Sequence, residues 1–338
     1  MSGKVCIIVL NYKNWRDTLE CMESVLRSNY LDYRLVVIDN ASPNESWERL
    51  DAWRLGKLEA VPANLGMRSY SEPHIAKPID AMMLTESDAE TYCGDCRIVI
   101  VKANKNGGFA AGNNIGIRMA LRDPDATHIW LLNNDVVVQQ DALTALMTAG
   151  CQQNSKNGII GAKMRYYYRQ SILQGVCGRY CPWTGISGHL GDGMTDDGDL
   201  DNHVMTSLNY PIGASMFVSL DFIRDVGMLR EDYFLYFEEL DWCLRGWRSG
   251  WRMAFCPEAV VFHKEGGSIG SSSLAVRSEL ADYFNIANRL KITRRYFRPY
   301  LPVVLAGLIM TWLRRMLCGR FRLALYVLPR AVWEGLFK

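Results

Sequence analysis

Four clusters of polar residues stand where the sequence otherwise reads as buried strand or as a helix start, and each has the chemistry of a site. In 130-WLLNNDVVV-138 the flanks are apolar, with Asn133, Asn134 and Asp135 between them. Burying an unpaired amide or hydroxyl costs roughly 2–7 kcal/mol, so these side chains must have partners. A carboxylate at a strand end suits a divalent cation with hard oxygen ligands, Mg²⁺ or Mn²⁺. One carboxylate and two amides close no cage, but Mg²⁺ keeps waters and phosphate oxygens as ligands. The bland alternative is an Asx turn at the strand end.

The second cluster is 106-NGGFAAGNNIG-116, whose small residues allow close approach of backbone to a ligand. Its spacing is not G-x-G-x-x-G, which argues against a dinucleotide-binding oxidoreductase. The third is 236-YFEELDWCLRGWRSGW-251, where Glu238, Glu239 and Asp241 crowd a helix start behind Tyr233, Phe234, Tyr236 and Phe237. Acids favour a helix N-terminus, so an ordinary first turn is the alternative. Like charges this close also raise one another's pKa, and such a carboxylate can act as a general base. The fourth is His263, at the end of VVFH. Alone it reads as structural, but a strand-end imidazole also suits a metal.

The elements that would position these groups alternate. Strand patterns at Val5–Leu10, Arg34–Ile38, Arg97–Val101 and His128–Leu132 are separated by helical ones at Thr18–Ser28, Ser46–Leu55 and Gly112–Leu121. Continuous apolar strands alternating with helices predict an α/β fold, a mostly parallel sheet flanked by helices. In such sheets ligands bind beyond the carboxyl ends of the strands, where Asn11, Asp39, Asn106 and Asp135 fall. Residues 58–95 and 165–206 lose the pattern and read as an excursion and a loop. A strand at Ala214–Ser219, a helix from Glu238 through Trp247 and short strands at Arg252–Phe255 and Val260–His263 follow.

The 338 residues, 49% hydrophobic and 22% charged, fit a globular protein with one large domain or two smaller ones. The net charge of +2 points to no nucleic-acid partner, yet it hides an asymmetry. From Tyr283 to Lys338 eleven Lys and Arg face one acid, Glu334; the tail is +10 and the preceding 282 residues −8. Within it Leu301–Leu313 is thirteen residues of apolar character, too few for a span of about 20. A basic, aromatic-bearing, amphipathic tail reads as lying on a membrane surface. A helix pair packed on the body, or a homo-oligomer contact, is the alternative. The N-terminus shows no signal-peptide pattern, so the ten cysteines are expected reduced in a cytosolic body. Cys93 with Cys96, and Cys177 with Cys181, have the makings of a four-thiolate zinc site. Their separation in sequence favours scattered small hydrophobes instead.

In order and combination, VCIIVLNYKNW, LVVIDNAS, NGGFAAGNNIG, LLNND, PIGASMFVS, YFLYFEELDWCLR and VVFHKEGGS resemble the family 2 glycosyltransferases of the GT-A fold over residues 4–270. The nearest likeness is to the bacterial rhamnosyltransferase-like group that builds surface polysaccharides such as O-antigen. The resemblance implies a nucleotide-sugar-binding half (1–150), an acceptor-binding and catalytic half of the same domain (151–282) and a helical tail (283–338). It implies that Leu10, Asn11 and Asp39 contact the nucleobase, and that Asn106, Gly108 and Asn113 line the nucleotide. Asn133 and Asn134 would do so too, within an NND version of the DXD motif. Asp135 and His263 would hold the metal. Glu239, with Glu238 beside it, would be the catalytic base. Gly213, Ala214 and Ser215, with Asp241, would border donor sugar and acceptor. The implied reaction is inverting transfer of a sugar from a nucleoside diphosphate, dTDP-L-rhamnose first and a UDP-sugar next, to a lipid-linked saccharide. The implied setting is the inner face of the cytoplasmic membrane. A nucleotidyltransferase would need a second metal carboxylate and a more basic first loop than Lys13 alone provides. A non-catalytic assembly partner would have lost the acids.

Overall fold

The computed structural model describes residues 3–151, 156–264 and 278–338. Its centre is a 10-stranded sheet built in two stages. The first stage runs β1 (Lys4–Asn11), α1 (Trp15–Leu26), β2 (Tyr33–Asp39), α2 (Ser46–Arg54), α3 (Arg68–Ser71), β3 (Met82–Thr85), α4 (Glu86–Ala89), β4 (Ile98–Lys102), α5 (Gly108–Arg122) and β5 (Ala126–Asn133). These five strands are mutually parallel. β1 and β2 are buried along almost their whole length, as apolar strands covered on both faces must be.

The second stage adds β6 (Val136–Val138), α6 (Ala142–Gly150), β7 (Asn157–Tyr166), β8 (Arg169–Gly175), β9 (Cys177–Cys181), β10 (Ile186–Leu190), β11 (Asn209–Tyr210), β12 (Ser215–Ser219), α7 (Leu220–Val226), α8 (Glu238–Arg248) and β13 (Arg252–His263). The strand order is β3-β4-β2-β1-β5-β12-β7-β13-β6, with β8 beside β7. β12 runs antiparallel to both β5 and β7, so one sheet is continuous across the two expected halves.

The structure corrects four expectations. The stretch 130–138 is not one strand: β5 ends at Asn133, and Val136–Val138 forms β6 at the sheet's far edge against β13. Residues 165–206 are not loop but hold β8, β9 and β10; the last two join β11 in a separate antiparallel sheet. Their glycines and polar residues hid the alternation. The excursion contains β3, a four-residue edge strand too short and too exposed to show a pattern. Finally, Arg252–His263 is a single strand whose register shifts between Cys256 and Val260.

The excursion is tied to α1 by two buried glutamates, Glu20 and Glu23. Glu23 accepts from Trp53 Nε1 at 2.9 Å and from the Ile75 amide at 3.0 Å, and pairs with Lys77. Glu20 accepts from the Ala63 amide at 3.3 Å and, from outside the excursion, from the Tyr167 hydroxyl at 2.6 Å and Lys264 at 2.5 Å.

The tail is helical: α9 (Glu279–Tyr296), α10 (Leu301–Leu317) and α11 (Leu328–Phe337), the last preceded by a π-helical turn at Leu323–Val327. Ile286, Ala287 and Leu290 of α9 pack against Val304 and Leu308 of α10 and Leu328 and Ala331 of α11. The thirteen-residue reading was too short, because Arg298–Leu317 forms a 20-residue helical run. By length and composition alone it is long and apolar enough to cross a membrane, and little of it is buried. All ten cysteines are free, and no group of three or more His, Cys, Asp or Glu able to hold a metal occurs among the described residues.

Candidate active site

Strand register brings the expected nucleotide residues together. Asn11 pairs with Asp39 across β1 and β2, Asp39 with Lys102 across β2 and β4, and Leu10 with Asn133 across β1 and β5. All lie at the carboxyl ends of adjacent parallel strands. Asn11 Nδ2 donates to Asp39 Oδ1 at 2.8 Å, and its Oδ1 accepts from the Thr18 hydroxyl at 2.8 Å. Burial pushes the Asp39 carboxyl above its usual range, against the hydrogen bonds from Ser42 and Asn11.

Asn40 Nδ2 reaches Asn106 Oδ1 at 3.0 Å and the Gly108 carbonyl at 3.1 Å, tying β2 to the start of α5. Gly108 is required there: its φ is +85°, and a Cβ would lie 2.2 Å from the Phe234 carbonyl oxygen. Gly112 accommodates Leu10, whose Cδ1 would lie 2.4 Å from an added Cβ. Three buried acceptors around these elements have no donor among the described residues: Asp39 Oδ2, Asn40 Oδ1 and Asn113 Oδ1. The N–H groups of a nucleobase and the hydroxyls of a ribose are donors of the kind they lack.

The question raised by Asn133-Asn134-Asp135 has three answers. The Asn133 side chain is only half-buried, and its backbone N–H donates to the Ala214 carbonyl at 3.0 Å, joining the end of β5 to the residue before β12. Asn134 is buried, and its Nδ2 donates to the Thr18 hydroxyl at 3.0 Å, to the Asn14 carbonyl at 3.1 Å and to Asn11 Oδ1 at 3.4 Å. That amide pins the β1–α1 loop to the turn before β6. Asp135 Oδ1 lies 3.1 Å from His263 Nε2, while His263 Nδ1 lies 2.8 Å from Gln174 Oε1. Gln174 escaped the sequence reading because it sits in the segment taken as loop. The Glu265–Ser268 end of the VVFHKEGGS block lies outside the described residues.

Asp135 and His263 fit the sparse metal site expected. They offer one hard carboxylate and one imidazole nitrogen at the sheet end where the nucleotide residues gather. Gln174 holds the far side of the ring, the usual way to fix which nitrogen faces a metal.

Glu238 and Glu239 open α8, behind Tyr236 and Phe237, both in left-handed backbone (φ +70° and +71°). Asn288 of α9 fixes this elbow, donating to the carbonyls of Leu235 at 2.7 Å and Tyr236 at 3.1 Å. Burial pushes Glu239 up to about 7, against hydrogen bonds from the α8 backbone. Glu238 is raised well above its ordinary value, first by burial and then by the charge of Glu239. The mutual repulsion expected from sequence is therefore secondary to desolvation. Glu239 remains partly exposed and faces Gly213, where an added Cβ would lie 3.7 Å from its Cγ. The Phe109 backbone amide donates to the Phe234 carbonyl at 2.9 Å, so the segment before α8 touches the start of α5 directly.

Asp241 does not join this group. It is fully buried, and its carboxylate accepts from Arg245 at 2.8 Å, from the Tyr296 hydroxyl at 2.7 Å and from Tyr233 and Arg295 at 3.3 Å. It sits one turn-face away from Glu239 and locks α8 to α9 instead of bordering a sugar.

A family model described as glycosyltransferase like family 2 matches residues 83–291, and one described as glycosyl transferase family 2 matches residues 5–62. The chain belongs to the family 2 glycosyltransferases. It is 22% identical over 181 residues to the low-salt glycan biosynthesis hexosyltransferase Agl10 of Haloferax volcanii, covering 54% of this chain and 56% of that one. It is 21% identical over 208 residues to the dTDP-rhamnosyl transferase RfbF of Shigella flexneri, covering 61% and 66%. The chain thus spans between about half and two thirds of these relatives' lengths. In fold it is similar to the mannosyltransferase PcManGT of Pyrobaculum calidifontis, solved with GDP-Man and Mn²⁺. The TM-score is 0.50 at 13% identity, covering 99% of this chain and 84% of that one. It is also similar to GalNAc-T7, solved with UDP, GalNAc and Mn²⁺, with TM-score 0.58 at 12% identity, covering 88% and 49%. The GT-A arrangement expected from sequence is the one observed.

Proposed function

We propose that this family 2 glycosyltransferase moves a sugar, with inversion, from a nucleoside diphosphate to a saccharide hydroxyl. The observation that carries the reading is the placement of Glu239, partly exposed at the start of α8, set against Gly213 and close to the Phe234–Phe109 link to α5, with burial pushing its carboxyl up to about 7. A base poised near the working pH combines a useful ionised fraction with useful basicity. Glu239 takes the acceptor hydroxyl's proton as the oxygen attacks the anomeric carbon from the side opposite the diphosphate. Glu238, buried beside it, has its carboxyl pushed well above the ordinary range, first by burial and then by the charge of Glu239. Asp39 and Asn113 accept from the nucleoside.

Asp135 and His263 would hold a divalent cation, Mn²⁺ or Mg²⁺, which when bound supplies charge neutralisation for the departing diphosphate. The fold relatives solved with Mn²⁺ support the choice of ion. The likeness to RfbF supports dTDP-L-rhamnose as first donor, with UDP-sugars next. The tail supports a lipid-linked acceptor at the inner face of the membrane. Ile309, Met310, Leu317, Tyr326, Trp333 and Phe337 are all exposed on it, alongside Arg314 and Arg320. The deciding experiment is calorimetric binding of a nucleoside-diphosphate panel with and without Mn²⁺. Metal-dependent tightening for one diphosphate is expected and would name the base; no binding to any of them would sink the reading.

A further inference from the structure

The ladder between β13 and β6 has one rung beyond both strands: the Lys264 backbone N–H donates to the Asp135 carbonyl at 3.0 Å. β6 is three residues long and takes the edge of the sheet, so this rung bears directly on where Asp135 and His263 stand. Successive side chains of an extended chain face opposite ways. His263 faces Asp135 and Gln174, and Lys264 turns instead to α1. There its side chain is 6% exposed, and its ammonium pairs with Asp17 and, at 2.5 Å, with Glu20. It also lies 4.8 Å from the centre of the Tyr167 ring. Tyr167 is tied to both sides of this contact. Its backbone N–H donates to the His263 carbonyl at 3.0 Å, and its hydroxyl donates to Glu20 and accepts from the Asn64 amide at 3.0 Å. One buried cation thus joins the strand that carries His263 to α1 and, through Glu20 and Tyr167, to the excursion.

The chain holds a matched comparison. The Lys77 side chain is 8% exposed, pairs with Glu23 about one turn further along α1, and lies 4.9 Å from the centre of the Trp53 ring. It too sits over an aromatic ring and neutralises a buried glutamate. Its remaining bond is to the Ile75 carbonyl, within the excursion, and not to the strand that carries His263. Removing either lysine leaves a buried glutamate without its cation. Only Lys264 shares its backbone with the β13–β6 rung.

We propose that Lys264 is a positioning residue for the divalent cation that Asp135 and His263 would hold: its clamp on α1 keeps the last rung formed, and with it the carboxylate and the imidazole side by side. The assignment rests on the reading of those two residues as a metal pair, and it makes the excursion part of their support. Charge and position act here with opposite signs. A nearby ammonium repels a cation, so removing its charge alone would tighten Mn²⁺ binding. Loss of positioning weakens it.

The test is calorimetric binding of UDP and dTDP to the full chain with and without Mn²⁺, with a melting curve for each variant. Lys264→Met should reduce the Mn²⁺-dependent tightening about tenfold and leave metal-free nucleotide affinity within about twofold. Tyr167→Phe keeps the ring and the charge but removes the hydroxyl from Glu20, and should reduce the tightening about threefold. Lys77→Met should melt earlier than wild type yet keep the tightening within about twofold. If Lys264→Met does not fold, Tyr167→Phe decides. Tightening that is unchanged or stronger in the folded variants of Lys264 and Tyr167 overturns the positioning role. So does an equal loss in Lys77→Met, which would make the packing of α1 as a whole responsible. If the wild type binds nucleotide with no Mn²⁺ dependence, the metal pair falls and the role of Lys264 with it. If it binds no nucleotide at all, the transferase reading falls first.

Discussion

Glu239 carries two consequences of the same desolvation, one for rate and one for stability. As a base it must be ionised, so kcat/KM should rise with pH through about 7 and flatten above it. The stability effect has the opposite sign. Its folded pKa lies above the ordinary 4.5, so the folded chain binds more protons between pH 4.5 and 7 and loses stability as pH rises through that window. Glu239→Gln should cut transfer by at least ~10²-fold while leaving nucleoside-diphosphate affinity intact. It should also raise stability at pH 8 by about 2 kcal/mol, with little gain at pH 4, read by urea unfolding at both values. Near-normal turnover, or equal gains at both pH values, would remove Glu239 from the base role. Gln174 acts through His263. Gln174→Leu should weaken Mn²⁺-dependent tightening of the diphosphate by roughly 10–100-fold and leave metal-free binding unchanged. Calorimetry with and without Mn²⁺ decides it.

At the scale of elements, α1 does more than cover the sheet, because Glu20 and Glu23 on its buried face anchor the 58–96 excursion. Removing one partner of a buried pair leaves the other charge uncompensated. Glu23→Ala should therefore cost about 3–5 kcal/mol in urea unfolding and speed proteolysis within 58–96; a loss under about 1 kcal/mol would mean Lys77 finds other partners. The sequence showed the parallel strands because each is a continuous apolar run, and it showed Asn11, Asp39 and Asp135 because strand ends are where such folds place ligands. It could not show β3, β8, β9 or β10, which are short, edge-placed or rich in glycine, and whose pairing depends on distant chain. Asp241 misled for the reverse reason. Two residues from Glu239 in sequence, it lies on another face of α8, and only the packing of α9 reveals Arg295 and Tyr296 as its partners.

At the scale of the whole molecule, the +10 tail is less basic than its composition suggests. Acids outside 283–338 pair with three of its arginines: Arg295 with Asp232 and Asp241, Arg315 with Asp282 and Arg322 with Glu279. Arg298, Arg314 and Arg320 make no ion pair among the described residues. One stripe of α10, Val304 and Leu308, is spent on α9. The opposite stripe is bare: Ile309, Met310 and Leu317 are 60%, 65% and 88% exposed. An apolar stripe beside free guanidinium groups matches an anionic bilayer surface, each component adding to the other. Deleting the chain after Arg298 would strip α9 of its partners as well as removing the stripe, so substitution is the cleaner test. Ile309→Glu with Leu317→Glu should release the chain from anionic vesicles in a flotation assay while leaving its melting temperature within about 2 °C, since neither side chain is buried. Arg314→Gln with Arg320→Gln should weaken binding to anionic vesicles but not to neutral ones, and added salt should mimic that loss. If both double variants float with vesicles as the wild type does, the tail has another role. Alkaline carbonate extraction then separates the two ways a 20-residue apolar helix can meet a bilayer. The surface-bound reading requires release into the supernatant, and retention in the pellet would mean that Arg298–Leu317 crosses the membrane.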